Sequence, residues 1–196
     1  MKEKFVNSCL KVIKNNNDNL SRKDIDKMKY GLEGLYLTIT KIIFILLISI
    51  ILGIVKETIL LLLIFNGIRF TSFGVHAKRS IDCLISSTLF FIIFPLLCVH
   101  LTIPIIIKYI LFIPILILIS IYAPSDTVKR PLKNKKKRII YKISSIIITI
   151  IYMILIIIIQ DNTLSNCFLA ALIIQVIVIL PITYKIFDVP YNNHKN

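Results

Sequence analysis

A short polar segment between two apolar stretches holds the residues of this chain that are best suited to covalent chemistry. It runs from Arg69 to Cys83 and contains Gly74, His76 and Ser80. A cysteine reacts through its thiolate, and a neighbouring histidine is the usual base that generates the thiolate. His76 and Cys83 are the only histidine and cysteine that are neighbours in a polar segment. The pair predicts a cysteine nucleophile with a histidine base.

The separation of seven residues limits how His76 and Cys83 can meet. On one continuous helix they would share a face but lie roughly 10 Å apart along the axis, too far for a hydrogen bond of about 3 Å. We therefore predict that the backbone between them is not helical throughout. With Ser80 as the N-cap, Cys83 would be the third helical residue, where the positive end of the helix dipole favours a thiolate. Gly74 permits the turn that would return the imidazole to this helix start.

The other cysteines do not indicate a second site. Cys98 and Cys167 lie in apolar stretches and Cys9 lies on an apolar helical stripe, where cysteine usually behaves as a small hydrophobic residue. The four cysteines show no CxxC spacing, which disfavours a zinc site. We therefore predict neither a metal nor a cofactor.

The composition places the polar segment in a membrane protein. Of the 196 residues, 57% are hydrophobic and 17% are charged, and the mean hydropathy is +0.85. Soluble domains are about 45–50% apolar and about a quarter charged. These values exclude an ordinary soluble enzyme, and the abundance of Ile, Leu and Phe excludes a disordered chain.

The hydropathy pattern predicts an all-α, polytopic integral membrane protein with about six transmembrane segments. A bilayer crossing needs about 20 apolar residues, and five stretches are long enough. A sixth stretch, 58–68, is short and can cross only if flanking residues extend it. The five long stretches are 35–55, 83–101, 103–122, 139–159 and 164–187.

Basic residues predict the orientation of these segments. Segments 1–30, 69–82 and 124–142 carry eight, three and eight Lys or Arg residues, and cytoplasmic loops are enriched in both types. Six crossings would place all three segments and both termini in the cytoplasm. If 58–68 instead re-entered on the same side, the orientation of everything after it would reverse.

Residues 1–33 predict an amphipathic collar on the cytoplasmic membrane surface. Phe5, Val6, Cys9 and Leu10 share one helical face, as in interfacial helices, and Ser21 is predicted to cap a second short helix. The collar is either a membrane anchor or a docking surface for a second amphipathic peptide. Together with 35–187 and the loops 69–82 and 124–138, it forms a single predicted membrane domain over 1–196.

Two motifs in this chain resemble those of the accessory gene regulator B (AgrB) family. The first is GVHAKRS at 74–80, flanked by Arg69 and Cys83, and the second is YAPSDTVKRPL at 122–132. Length and hydropathy profile match as well, so the resemblance covers nearly the whole chain. One departure is Phe73, where the family often has a second glycine.

The resemblance implies a homodimeric cysteine endopeptidase of the bacterial cell membrane that processes a quorum-sensing peptide precursor. By motif position His76 would be the base and Cys83 the nucleophile, with Arg69, Gly74 and Ser80 in supporting positions. Thiolate attack would expel the C-terminal tail of the precursor and leave an acyl-enzyme thioester. A precursor cysteine or serine would then close a thiolactone or lactone ring. Attack by water would give a linear product, which favours a recessed site.

The implied precursor begins with an amphipathic helix and ends in an acidic tail. Basic residues near the site would attract this tail, or they would only set topology and contact anionic lipid. Asp126, on the same predicted membrane side, is our candidate for orienting the imidazole. Nucleic acid is disfavoured because no aromatic platform accompanies the basic residues. The candidate tail-binding residues are Lys78, Arg79, Lys129, Arg130, Lys135, Lys136 and Lys137.

Two other classes of function are compatible with the hydropathy. A small transporter or peptide exporter would also be polytopic, but such folds commonly contain internal repeats, and this chain shows none. A non-catalytic membrane scaffold would leave the polar segment 69–83 without a role.

Overall fold

The computed structural model of the protein describes residues 2–15, 21–127, 132–191 and 193. Over these residues the regular secondary structure is helical, with an isolated parallel bridge between Phe73 and Ser125. The chain divides into two compact units, residues 1–47 and 48–196. The helices are α1 (Lys2–Asn15), α2 (Arg22–Ile51), α3 (Val55–Ser72), α4 (Ser80–His100), α5 (Ile105–Tyr122), α6 (Lys135–Ile158), α7 (Asn162–Ile179) and α8 (Pro181–Ile186).

The prediction of an all-α, polytopic membrane protein is confirmed. In the described part of the chain, five helical segments are long and apolar enough to cross a bilayer. They are Asp24–Ile51, Ser80–His100, Ile105–Tyr122, Lys135–Ile158 and Asn162–Ile179.

The apolar run 58–68 is the interior of a longer helix, α3. This helix has 18 residues, which gives it a length of about 27 Å. It is absent from the five because Lys56, Glu57 and Arg69 lie near its ends. Glu57 in the first turn and Arg69 in the last turn both complement the helix dipole. Flanking residues therefore extend this segment, as a sixth crossing requires.

The first unit contains α1 and most of α2. On α1, Val6 and Leu10 are buried, and the Phe5 ring lies 5.5 Å from that of Tyr36. The predicted cap at Ser21 is correct, because its hydroxyl oxygen accepts from the Asp24 amide at 3.3 Å and its hydroxyl donates to the Asp24 carboxylate at 2.6 Å. The expected second short helix is not separate, however. It continues without a break into the first apolar stretch as the 30-residue α2. The glycines of this helix do not end it, because an isolated glycine destabilises a helix by only about 1 kcal/mol.

The second unit is built around α7. Helices α3, α4, α5 and α6 all pack against it, and 67% of its membrane-span residues are buried, against 17–22% for α4, α5 and α6. Because it is sheltered from lipid, α7 can carry buried polar residues, among them Ser165, Asn166 and Gln175.

The last predicted segment, 164–187, is interrupted. Helix α7 ends at Ile179, Leu180 is extended (φ −65°, ψ 140°), and Pro181 begins α8. Proline has no N–H group and disfavours helical geometry at the residue before it. The break gives α8 its own position beside the loop that follows α5.

Candidate functional site

The two sequence motifs meet at one end of the second unit. The Gly74 amide donates to the Ser125 carbonyl at 2.8 Å, and the Ser125 amide donates to the Ser72 carbonyl at 3.0 Å. The Val75 amide donates to the carbonyl of Val178 at the end of α7, at 2.9 Å. The loop between α3 and α4, residues 73–79, is therefore held by the loop after α5 and by α7.

Arg69 binds the backbone of this loop. Its guanidinium donates to the carbonyl oxygens of Phe73 at 2.8 Å, Gly74 at 3.2 Å and Val75 at 2.8 Å. It also lies 5.9 Å from the centre of the Phe65 ring. Arg69 thus fixes three successive peptide groups immediately before His76.

Gly74 has a backbone geometry and surroundings that exclude a side chain. Its φ is +126°, a value that L-residues rarely adopt. A Cβ atom would collide with the Arg69 guanidinium and lie 2.8 Å from the Val178 carbonyl oxygen. The prediction that Gly74 permits a turn here is supported by this geometry.

Phe73 also has a positive φ, of +55°. This region favours glycine, and a non-glycine residue there is strained. Besides the bond from Arg69 to its carbonyl, its ring packs edge-on against Tyr141 at 5.0 Å, and the same carbonyl accepts from Gln175 Nε2 at 2.9 Å. The position where the family often has a second glycine thus keeps a glycine-like conformation.

His76 and Cys83 lie at this same end of the unit. Residues 73–79 are not helical, as predicted. His76 is exposed and Cys83 is half-buried. The hydrogen bond from the Val75 amide to α7 lies just before His76, and Cys83 lies in the first turn of α4. Hydrogen-bond reach between the imidazole and the thiol stays a prediction.

The start of α4 differs from the prediction by one residue. The N-cap is Arg79, with extended geometry (φ −98°, ψ 137°) and no side-chain cap. Ser80 is therefore the first helical residue and Cys83 the fourth. The Cys83 amide donates to the Arg79 carbonyl at 3.3 Å, the first intrahelical hydrogen bond of α4. Cys83 still lies in the turn nearest the positive end of the helix dipole.

The first part of the second motif is buried and contacts the loop 73–79. Residues 123–127 are buried, and the Tyr184 hydroxyl donates to the Ser125 and Asp126 carbonyls, both at 3.1 Å. Burial raises the pKa of Tyr184 to about 12, so it remains a neutral donor. The Asp126 carboxylate accepts from the Leu132 amide at 3.2 Å. An action of Asp126 on the imidazole stays a prediction.

The basic residues of the predicted tail-binding set are surface residues wherever they are described. Lys78 is paired with Asp188, Nζ to Oδ2 at 3.4 Å, and Arg79 is exposed. Residues 135–137 are exposed in the first turn of α6, where the Asn134 side chain caps the helix. Three lysines at the positive end of a helix dipole do not stabilise the helix. Lys129 and Arg130 lie outside the described residues.

The sequence reasoning missed Gln175 and Tyr184, which bind the two motifs from α7 and α8. Gln175 could have been found, because a polar residue inside an apolar stretch is often functional. Tyr184 carries no such signal, since a tyrosine near the end of an apolar stretch is common.

A second polar cluster lies at the opposite end of the same unit. Lys108 is buried and donates to Ser165 Oγ at 2.8 Å, and the Asn166 amide donates to the Leu101 carbonyl at 2.7 Å. Cys98 and Cys167 are buried there, as expected for small hydrophobic residues. In the described portion of the chain, no group of three or more His, Cys, Asp or Glu residues could hold a metal ion.

Comparison with known proteins gives consistent matches over most of the chain. A family model described as Accessory gene regulator B matches residues 6–179. A putative AgrB-like protein of Clostridium acetobutylicum is 33% identical over 171 residues, covering 87% of this chain and 82% of that protein. A putative AgrB-like protein of Listeria monocytogenes is 28% identical over 169 residues, covering 86% and 83%. Accessory gene regulator protein B of Staphylococcus saprophyticus is 34% identical over 133 residues, covering 68% and 70%. No solved structure matches the chain.

Proposed function

Since the chain belongs to the accessory gene regulator B family, which takes part in processing quorum-sensing peptides, we propose that it is a membrane cysteine endopeptidase. Its substrate would be the precursor of an autoinducing peptide. The observation that carries the proposal is the contact between the two motifs. The loop that bears His76 is fixed by Arg69, Ser125 and α7, directly before the helix that bears Cys83.

The chemistry has two acyl transfers. His76 takes the proton from the Cys83 thiol, and the thiolate attacks a backbone carbonyl carbon of the precursor. The C–N bond breaks, the imidazolium returns its proton to the leaving amine, and the acyl group stays on Cys83 as a thioester. A cysteine thiol or serine hydroxyl of the precursor, deprotonated by His76, then attacks the thioester. The ring closes as a thiolactone or lactone, and Cys83 regains its proton.

The neighbouring residues act on the loop rather than on the substrate. In this proposal Arg69 fixes the peptide groups before His76, and Gly74 leaves room for the guanidinium. Ser80 begins the helix that carries Cys83. Asp126, in the motif that contacts the loop, would orient the imidazole. None of these steps needs a cofactor or a metal.

The proposed topology has six crossings, with both termini and the loop 73–79 in the cytoplasm. The length of α3, with charged residues only near its ends, supports a crossing by this helix. All strongly basic segments then lie on the cytoplasmic side. The proposed partners are the precursor, the surrounding lipids and, following the family resemblance, a second copy of this chain.

Co-expression with an epitope-tagged candidate precursor tests the proposal. We expect the wild type to release the tagged tail and Cys83→Ala to release none, because the nucleophile is gone. Cys9→Ala is the matched control, since Cys9 is also half-buried and has no role in the chemistry. Cleavage that persists in Cys83→Ala would eliminate the peptidase and favour a transporter or a scaffold.

A further inference from the structure

The buried polar cluster opposite the candidate site contains two cysteines and a lysine that the proposed peptidase chemistry does not use. Cys98 lies in the last turn of α4, Cys167 in the second turn of α7 and Lys108 in the first turn of α5. All three side chains are buried. Cys98 and Cys83 are fifteen residues apart on α4, about 22 Å along the helix axis. The cluster is therefore separate from the candidate site.

The two cysteines form a pair across the contact between α4 and α7. Their side chains interact as hydrogen-bonded thiols. The side-chain amide of Asn166, the neighbour of Cys167, donates to the Cys98 carbonyl at 3.3 Å and to the Leu101 carbonyl at 2.7 Å. These bonds hold the backbones of the two cysteines together. Both are free thiols, and two thiols that meet on neighbouring helices satisfy the first requirement for a disulfide.

Lys108 brings a positive charge to this pair. Its ammonium group is fixed by donation to Ser165 Oγ at 2.8 Å, and Cys98 is the ionisable group that interacts with it. Within the described part of the chain, Lys108 forms no ion pair with a carboxylate. A cation beside a cysteine stabilises the reactive thiolate, and a thiolate would supply the counter-charge that a buried ammonium needs.

Two carboxylates, of Glu57 and Asp161, also act on the cysteine pair and oppose a thiolate. Glu57 is half-buried and Asp161 is exposed, whereas Lys108 is buried. Because solvent and salt screen exposed charges more than buried ones, the lysine should have the larger effect on the sulfur atoms.

We propose that Cys98 and Cys167 are a second reactive site, a dithiol that undergoes thiol–disulfide exchange with a small, apolar disulfide dissolved in the membrane. One thiol loses its proton, and its sulfur attacks a sulfur atom of the disulfide RSSR. The S–S bond breaks, and RS⁻ leaves and takes up that proton. The other cysteine then attacks the mixed disulfide and expels a second RSH. The two protein thiols lose two electrons, and RSSR is reduced to two RSH.

The new disulfide would link the end of α4 to α7. In the proposed topology with six crossings this end faces the cell exterior, where disulfides persist. Helix α4 carries Cys83 and α7 bonds to the loop before His76, so the disulfide would join the two helices that hold the candidate site. The exchange chemistry itself does not depend on the peptidase proposal.

A variant with Cys9→Ala and Cys83→Ala keeps only the pair and tests this site. The protein is placed in phosphatidylcholine nanodiscs and treated with dithiodipyridine, a small aromatic disulfide whose pyridinethione product is followed by absorbance. We expect two pyridinethiones per protein and an intact mass lower by two hydrogen atoms, without an adduct. With Cys167→Ser added, the single remaining thiol should instead yield a mixed disulfide with one pyridylthio group.

The contribution of Lys108 is measured in the same background. Lys108→Met removes the charge but keeps an unbranched side chain, and should slow the first exchange about tenfold or more. Lys56→Met is the matched control, because Lys56 is exposed in the first turn of α3 at the same end of the unit, and should leave the rate unchanged. A misfolded variant would expose its thiols and react faster, so a slower rate reports the lost charge.

Three results would contradict the proposal. Two pyridylthio adducts per protein would show that the cysteines do not pair, and a reaction that begins only after unfolding in dodecyl sulfate would show that no oxidant reaches them. Equal rates for Lys108→Met and its parent would overturn the role of the lysine. A failure of the peptidase proposal would instead appear in the cleavage assay with Cys83→Ala.

Discussion

Two single residues, Arg69 and Gly74, determine how the loop before His76 is shaped. The guanidinium fills the space that a side chain at position 74 would need, and it satisfies three carbonyls there. The shape of the loop therefore depends on both residues together. The Arg69 guanidinium can reach the three carbonyls only because Gly74 has no side chain.

Gly74→Ala should abolish most of the peptidase activity. The new methyl group strains a backbone at φ +126° and displaces Arg69, at a cost of about 1–3 kcal/mol, so we expect at least a tenfold loss of precursor cleavage. Gly34→Ala is the control, because nothing lies within 4 Å of a Cβ at that position and alanine favours a helix. Wild-type cleavage by Gly74→Ala would contradict the role assigned to this loop.

Cys83 should differ in reactivity from the two buried cysteines. Cys83 is half-buried in the first turn of α4, whereas Cys98 and Cys167 are buried. We expect Cys83 to react with a maleimide in native membranes at least tenfold faster than the two buried cysteines, because a reactive thiol needs access to the reagent. Rates can be followed by mass spectrometry on single-cysteine variants. Indistinguishable rates at all three positions would count against an accessible nucleophile.

At the scale of helices, the buried helix α7 hydrogen-bonds to the loop of the candidate site through Gln175 and Val178. Gln175→Leu removes the donor to the Phe73 carbonyl and should lower kcat for the precursor about three- to tenfold, since a hydrogen bond contributes about 0.5–1.5 kcal/mol. KM should change little. Asn166→Leu is the matched control, because it removes the other buried amide of α7, whose bonds lie at the opposite end.

Both substitutions should reduce thermal stability in detergent, so stability alone does not separate them. The difference must appear in kcat, measured on the folded fraction. If Asn166→Leu lowers kcat as much as Gln175→Leu does, the effect is general packing and not positioning of the loop.

The helices were predictable to the extent that local patterns determine them. Periodicity and length predicted the helical crossings, and the distance arithmetic predicted that the backbone between His76 and Cys83 is not helical throughout. The apolar pattern alone did not give the bounds of α3, because its ends carry Lys56 and Arg69; the distribution of basic residues required flanking residues to extend 58–68. The contact of Gly74 with Ser125 joins residues far apart in sequence and leaves no periodic signal.

At the scale of the whole molecule, charge is distributed unevenly along a chain of net charge +14. The first turn of α6 alone presents Lys135, Lys136 and Lys137 to solvent. Because these lysines oppose the helix dipole, we infer that their position serves topology or substrate attraction.

Replacing all three of these lysines with glutamine should separate the two roles. If they attract an acidic precursor, the apparent KM should rise about threefold or more with kcat nearly unchanged. The difference from wild type should shrink in high salt, since exposed charges are screened beyond about 10 Å at 0.1 M. The Asn134 cap is retained, so α6 should still form. Unchanged kinetics in a correctly inserted variant would leave the loop as a topology signal.

The central position of α7 has a consequence for how the protein is made. Helices α3 to α6 leave the ribosome before α7, yet the loop before His76 hydrogen-bonds to Gln175 and Val178 of that later helix. The nascent chain therefore emerges with this loop held by Arg69 and Ser125 but without its contacts to α7. The loop acquires these two contacts only when α7, with its buried polar residues, inserts among the earlier helices. We therefore expect the proposed peptidase activity to appear only after α7 has been synthesised.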